Sequence, residues 1–101
     1  MHDEARPFVV AARHLFAECL LHTGNLTAAE DQATRVRQMR TVRLGADHPC
    51  TIVISCGLAR ILAAAGRLEE AQLLAAQVLP AAVRVLGEHN VHTRRLRELA
   101  A

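Results

Sequence analysis

Three groups of side chains have types and spacings that could do chemistry. His14, Glu18 and His22 stand at i, i+4 and i+8, which stacks them on one helix face, and Cys56 follows His14 by 42 residues. Imidazole, carboxylate and thiolate together could hold zinc. No ligand motif of recognised spacing accompanies them, so the plainer reading is a polar stripe on a solvated contact face. A second set, His48 and Cys50 with His89 and His92, sits at two positions about 42 residues apart, and its plainer reading is loop residues with solvent-facing rings. The third set is cationic. Arg35, Arg37, Arg40 and Arg43 lie between Asp31 and Asp47 with no acid among them, and Arg84, Arg94, Arg95 and Arg97 come later. Phosphate contacts could use such a stripe. No aromatic residue interleaves it for base stacking, and arginine near a helix C-terminus already complements the macrodipole, so a solvated face is expected rather than a nucleic-acid site.

Catalysis finds little footing. The single serine, Ser55, has no Gly-x-Ser-x-Gly around it, and no glycine-rich phosphate loop occurs. Cys56 with His14 could form a thiolate pair, but residues facing an open groove bring no oxyanion donors. The expectation is a non-enzyme without a cofactor or metal. Three cysteines, Cys19, Cys50 and Cys56, form no C-x-x-C, and an odd number argues against a disulfide framework. No leader sequence or membrane-length apolar run is present in the sequence, so a cytoplasmic protein with no membrane partner is expected.

The elements that must position these residues are helices. The chain has 101 residues, a length suited to one domain. It is 51% hydrophobic and 2% aromatic with a net charge of +2, which excludes disorder and disfavours a β-sandwich or barrel. Nineteen residues are Ala and 14 are Leu, and all 12 cations are Arg. An all-α chain follows.

The chain also repeats itself. Residues 6–47 laid over 48–89 match without a gap at ten of 42 positions, among them Pro7/Pro49, Gly24/Gly66, Leu26/Leu68, Ala29/Ala71, Ala33/Ala75 and Gly45/Gly87. Each match has a mechanical role. Pro opens the first helix of each unit, where its missing N–H costs nothing. Gly24 and Gly66 end those helices and leave only a tight turn before Leu26 and Leu68, which forces an antiparallel hairpin. Alanines at i and i+4 let the helix axes approach closely. Leu44-Gly45 and Leu86-Gly87 close the second helices. Pro80, inside the last of these, removes a bond to the Ala76 carbonyl at a cost of about 3 kcal/mol, which predicts a kink or break between Ala76 and Pro80.

Leu58-Ala59, Leu62, Ala65-Gly66-Arg67-Leu68-Glu69-Glu70-Ala71 and Leu44-Gly45-Ala46-Asp47-His48-Pro49-Cys50-Thr51 resemble the tetratricopeptide repeat, in its 42-residue kinesin-light-chain form. The resemblance implies a short α-solenoid of antiparallel helix hairpins, a superhelix of about five helices near 7–22, 26–43, 49–64, 68–85 and 91–100. One domain over 1–101 is expected, with repeats at about 6–47 and 48–89 and a capping half-repeat at 90–101.

The resemblance further implies a scaffold or adaptor that holds a protein or peptide partner in the concave groove lined by the first helices. Carried over by position, that groove contains His14, Leu15, Glu18, Leu21 and His22, then Val53, Cys56, Arg60 and Ala64, then Arg95 and Glu98. The asparagine pair that clamps a peptide backbone in the kinesin-light-chain form is absent, with His14-Leu15 and Cys56-Gly57 in its slots. Arg60 is expected on the concave face and Arg37 on a solvated one. A metal- or small-ligand-binding protein using His14, Glu18, His22 and Cys56 is the alternative, and the tail of a larger signalling or transcriptional regulator is another. Finally, apolar residues wrap nearly the whole first helix, the pattern of a helix buried on all sides. A homodimer through Phe8, Ala12 and Leu15 is expected to cover it.

Overall fold

The computed structural model describes residues 25–101. They form four helices, α1 (Leu26–Leu44), α2 (Pro49–Ala64), α3 (Leu68–Leu86) and α4 (Val91–Ala100). The helix expected at 7–22 lies outside the described residues. The other four fall within one residue of their expected bounds.

Local chemistry fixes the ends. Asn25, His48 and Asn90 each accept a backbone N–H from the first turn of the helix they precede, through Oδ1, Nδ1 and Oδ1 respectively. Pro49 takes the first position of α2. Gly45 and Gly87 terminate α1 and α3 at φ 96°, ψ 156° and φ 92°, ψ 159°, a region essentially reserved for glycine. Each glycine N–H reaches two carbonyls of the helix just ended, those of Arg40 and Thr41 and those of Ala82 and Val83. Each glycine carbonyl then accepts the N–H of the next cap, His48 or Asn90, at 3.3 Å. The two corners are the same structure built twice.

Packing runs in sequence order. α2 lies against α1 and α3, α3 against α4, and α2 also touches α4. Ala29, Ala33, Ala71 and Ala75 are all fully buried, as the close approach of the axes requires. Two apolar clusters result. One joins Ala29, Ala33 and Val36 of α1 to Ile54, Leu58, Ile61 and Leu62 of α2, with Ala71. The other gathers Ile52, Cys56, Ala75, Val78, Ala81, Ala82 and Leu96. Leu74 packs against both.

Of the kink or break predicted between Ala76 and Pro80, the break does not occur, since α3 is continuous from Leu68 to Leu86 and matches α1 in its 19 residues. Pro80 and Ala76 are both exposed. Water can therefore serve the Ala76 carbonyl that the proline leaves without a donor.

Candidate protein-binding surface

α2 is buried along nearly its whole length. Between Thr51 and Leu62 only Val53 and Arg60 keep partial exposure. With exposed Ala64 they form one stripe at spacings of seven and four, and Gly57, between Val53 and Arg60 on that side, is buried. On α4, the next first helix, Arg95 is half-buried and Glu98 exposed. Val53, Arg60, Ala64, Arg95 and Glu98 thus remain available as a surface on two successive first helices.

Cys56 does not join them. It is 0% exposed, held among Ile52, Ala75, Val78 and Leu96, with its Sγ 3.7 Å from the His92 carbonyl oxygen. The Cys56 thiol thus belongs to the second apolar cluster and not to the accessible stripe, although the sequence groups it with His14, Glu18 and His22. Those three, with Leu15 and Leu21 and the self-association residues Phe8 and Ala12, lie outside the described residues. His48, Cys50, His89 and His92 have structural employment in part: the His48 ring caps α2 by accepting the Cys50 N–H at 3.1 Å. Among the described residues no three His, Cys, Asp or Glu side chains gather as a metal site would need.

The cationic stripe is not one solvated face. Arg35 pairs with Asp31 at 3.5 Å, Arg84 with Asp47 at 2.7 Å and Arg97 with Glu88 at 2.8 Å. Arg37 donates from Nε to Ser55 Oγ at 2.9 Å, and Ser55 in turn donates to the Thr51 carbonyl. Arg40 is buried and donates from Nη1 to the Cys50 carbonyl at 2.9 Å. Burial lowers its pKa from the ordinary arginine value, against an opposing pull from the Cys50 sulfur. Arg67 at the foot of α3 bonds both Glu70 and Glu30, and these two hydrogen bonds, in that order, raise its pKa. Arg60 and Arg95 differ from these. Neither makes an ion pair or a side-chain hydrogen bond among the described residues.

A second surface was not visible in the sequence. α1 and α3 stand apart across a trench of 390 Å³, floored by Leu58 and Leu62 and flanked by Glu30 and Thr34 on one side and Leu73 and Gln77 on the other. A smaller hollow of 300 Å³ continues beside Thr41 and Val42. The only sequence signal was an apolar Val42 and Leu73 off the core-facing register of their helices. Among the described residues no helix is long and apolar enough to cross a membrane.

Comparisons with known proteins agree with this architecture. No curated protein matches the chain. A solved structure of the nearly identical TPR-like repeats of a kinesin light chain from Podosopora anserina superposes with a TM-score of 0.79 at 21% sequence identity. The match covers 98% of this chain and 47% of that one, so the chain spans about half the length of the structure it resembles. The tetratricopeptide repeat family model matches residues 8–83. With its paired antiparallel helices, glycine corners and buried small residues, the chain belongs to the tetratricopeptide repeat family.

Proposed function

We propose that this protein is a binding module, without catalytic activity, that holds a segment of a partner protein along the exposed stripes of α2 and α4. Tetratricopeptide repeats mediate protein–protein interaction as a class. The observation that carries the assignment to this face is the contrast among arginines. Arg35, Arg67, Arg84 and Arg97 pair with carboxylates of the chain, while Arg60 and Arg95, half-buried on successive first helices, have no such pair among the described residues. A guanidinium so placed can take a carboxylate from a partner. Val53 and Ala64 supply apolar contact beside it.

Capture of the partner from the native source, followed by titration calorimetry, tests the assignment. Arg60→Glu should weaken binding at least tenfold. Arg37 is an unsuitable control because it bonds Ser55. The exposed Arg43 serves instead, and Arg43→Glu should leave affinity within about twofold. Equal losses from the two substitutions would reject the assignment of faces.

A further inference from the structure

The outer stripe of α3 has a composition that a solvated helix face does not need. Glu69, Leu73, Ala76, Pro80 and Arg84 fall within an arc of about 80° at 100° per residue, with Gln77 at its edge. All six are exposed, Leu73 to 72%. At the equivalent places one repeat earlier, α1 presents Thr27, Asp31, Thr34, Gln38 and Val42, with Arg35 in the place of Gln77. The centre of the α1 stripe is polar and that of the α3 stripe is apolar. The α3 stripe is also continuous with a cleft of 520 Å³, lined by Glu69, Gln72, Leu73 and Ala76 together with Ala100 and Ala101 at the end of α4. Leu73 is the one large apolar side chain of the stripe, and Ala76 and Pro80 extend it into a continuous apolar strip.

The order of residues in the stripe names the occupant. Counted outward from a point midway between Ala76 and Gln77, the spacings to Leu73 and Pro80 are equal, and so are those to Glu69 and Arg84. Such a stripe is complementary to itself when turned end for end. Two copies of α3 laid antiparallel about a two-fold axis through that midpoint set Leu73 opposite Pro80. They also set Glu69 opposite Arg84, twice. A small residue, Ala76, lies at the crossing, where helix axes must come closest. The Ala76 carbonyl, which has no N–H from Pro80, then faces the Gln77 amide of the second copy, a donor able to satisfy it. None of this holds for α1, where the same operation would face Asp31 with Gln38 and Thr34 with Arg35.

We propose that this protein forms a two-fold symmetric homodimer through the exposed stripe of α3. The interface is isologous, with the same patch contributed by each copy. It is also small. One helix pair with the adjoining end of α4 is smaller than a standard interface of roughly 1,200 Å² or more, so the association is of the weak, concentration-dependent kind. Arg84 keeps its exposed pair with Asp47 and adds a carboxylate from the second copy. The concave face is not consumed, since Arg60 and Arg95 belong to α2 and α4, and dimerisation gives each assembly two such faces.

Sedimentation equilibrium on the full chain, from about 1 to 500 μM, reads the dimer directly. Leu73→Glu should leave the chain monomeric throughout, with unchanged helical circular dichroism because Leu73 is a surface residue. Glu69→Arg and Arg84→Glu should each weaken association about tenfold or more, and the two together should restore it to within about threefold, because the pair is merely exchanged across the axis. Asp47→Asn, which removes the intrachain partner of Arg84, should not weaken the dimer. A monomer at the highest concentration would overturn the proposal. So would a double reversal that fails to restore association, or a dimer that survives Leu73→Glu, as one through Phe8, Ala12 and Leu15 would. Each of these outcomes leaves the partner titrations with Arg60→Glu unaffected, so the two readings fail separately.

Discussion

Leu96→Ala should detach α4 from the rest of the molecule. Leu96 is 0% exposed, and in this ten-residue helix its only fully covered companion is Thr93, whose hydroxyl lies 3.3 Å from the Ala82 carbonyl. The substitution removes three carbons. At about 0.8 kcal/mol per buried carbon the transfer loss is roughly 2.4 kcal/mol. The site lies among Ile52, Cys56, Ala75, Val78 and Ala82, whose short or branched side chains cannot swing in to fill it. A remaining void of about 50 Å³, at about 24 cal/mol per Å³, adds about 1.2 kcal/mol. The sum is about 3.6 kcal/mol, a factor of about 400 in an opening equilibrium. Amide hydrogen exchange followed residue by residue reads that factor. Protection in α4, at the amides of Arg95 to Leu99, should fall by about that amount, while amides of α2 backed by Ile54, Ile61 and Leu62 should lose far less, because they belong to the other apolar cluster. An equal fall in both helices would refute the idea that the two clusters carry separate parts of the fold. No fall at all would show that α4 is held by something other than Leu96.

Two further outcomes are expected from the helix ends. Gly87→Ala should cost about 1–3 kcal/mol in urea unfolding although nothing lies within 4 Å of the place a Cβ would take, because φ of +92° with extended ψ is strained for any L side chain. His48→Ala should lower stability by about 1 kcal/mol through loss of the α2 cap, whereas His48→Asn should be at least as stable as the wild type. Asn90 already performs the same task on nearly identical backbone angles, φ −66°, ψ 140° against φ −67°, ψ 140°. A neutral alanine or a destabilising asparagine, measured by thermal unfolding, would show that the ring nitrogen contributes nothing to the cap.

The helices were legible in the sequence because their punctuation is local. Pro49, Gly45, Gly66 and Gly87 act through their own backbone conformations, and the buried alanines report the close axes at spacing four. What was not legible depended on distance or on small rotations. Arg67 finds Glu30 and Arg84 finds Asp47 across the same 37 residues, and nothing near either arginine announces a partner so far along the chain. Arg40, counted with its neighbours as a surface cation, is buried because α2 lies over it and offers the Cys50 carbonyl. Cys56 was projected onto the groove from a related repeat, but α2 is covered on most of its circumference and the thiol packs against Ala75, Val78 and Leu96. Pro80 was expected to kink or break α3, and the helix runs through it unbroken with the proline on its exposed side. Of the candidate surface, carried over by position from the related repeat, Val53, Arg60 and Arg95 are partly accessible and Ala64 and Glu98 exposed, while the trench between α1 and α3 could be seen only once both helices were in place.

The corners at Gly45 and Gly87 bear on how a chain of this kind can grow. Every backbone hydrogen bond that shapes a corner joins residues no more than five positions apart, from the carbonyl of Arg40 to the N–H of Gly45 and from the carbonyl of Gly45 to the N–H of His48. The backbone of the corner therefore carries its own geometry, and the side-chain pairs of Asp47 with Arg84 and of Glu88 with Arg97 are added to it. A tandem duplication of 42 residues copies a finished joint along with the two rods it connects, and the new unit leaves the ribosome already aimed at its seat. Lengthening such a protein requires no invention at the junction. The selective work is confined to side chains along the rods, and two copies of one corner can keep the same angles while their helices diverge to 10 identities in 42.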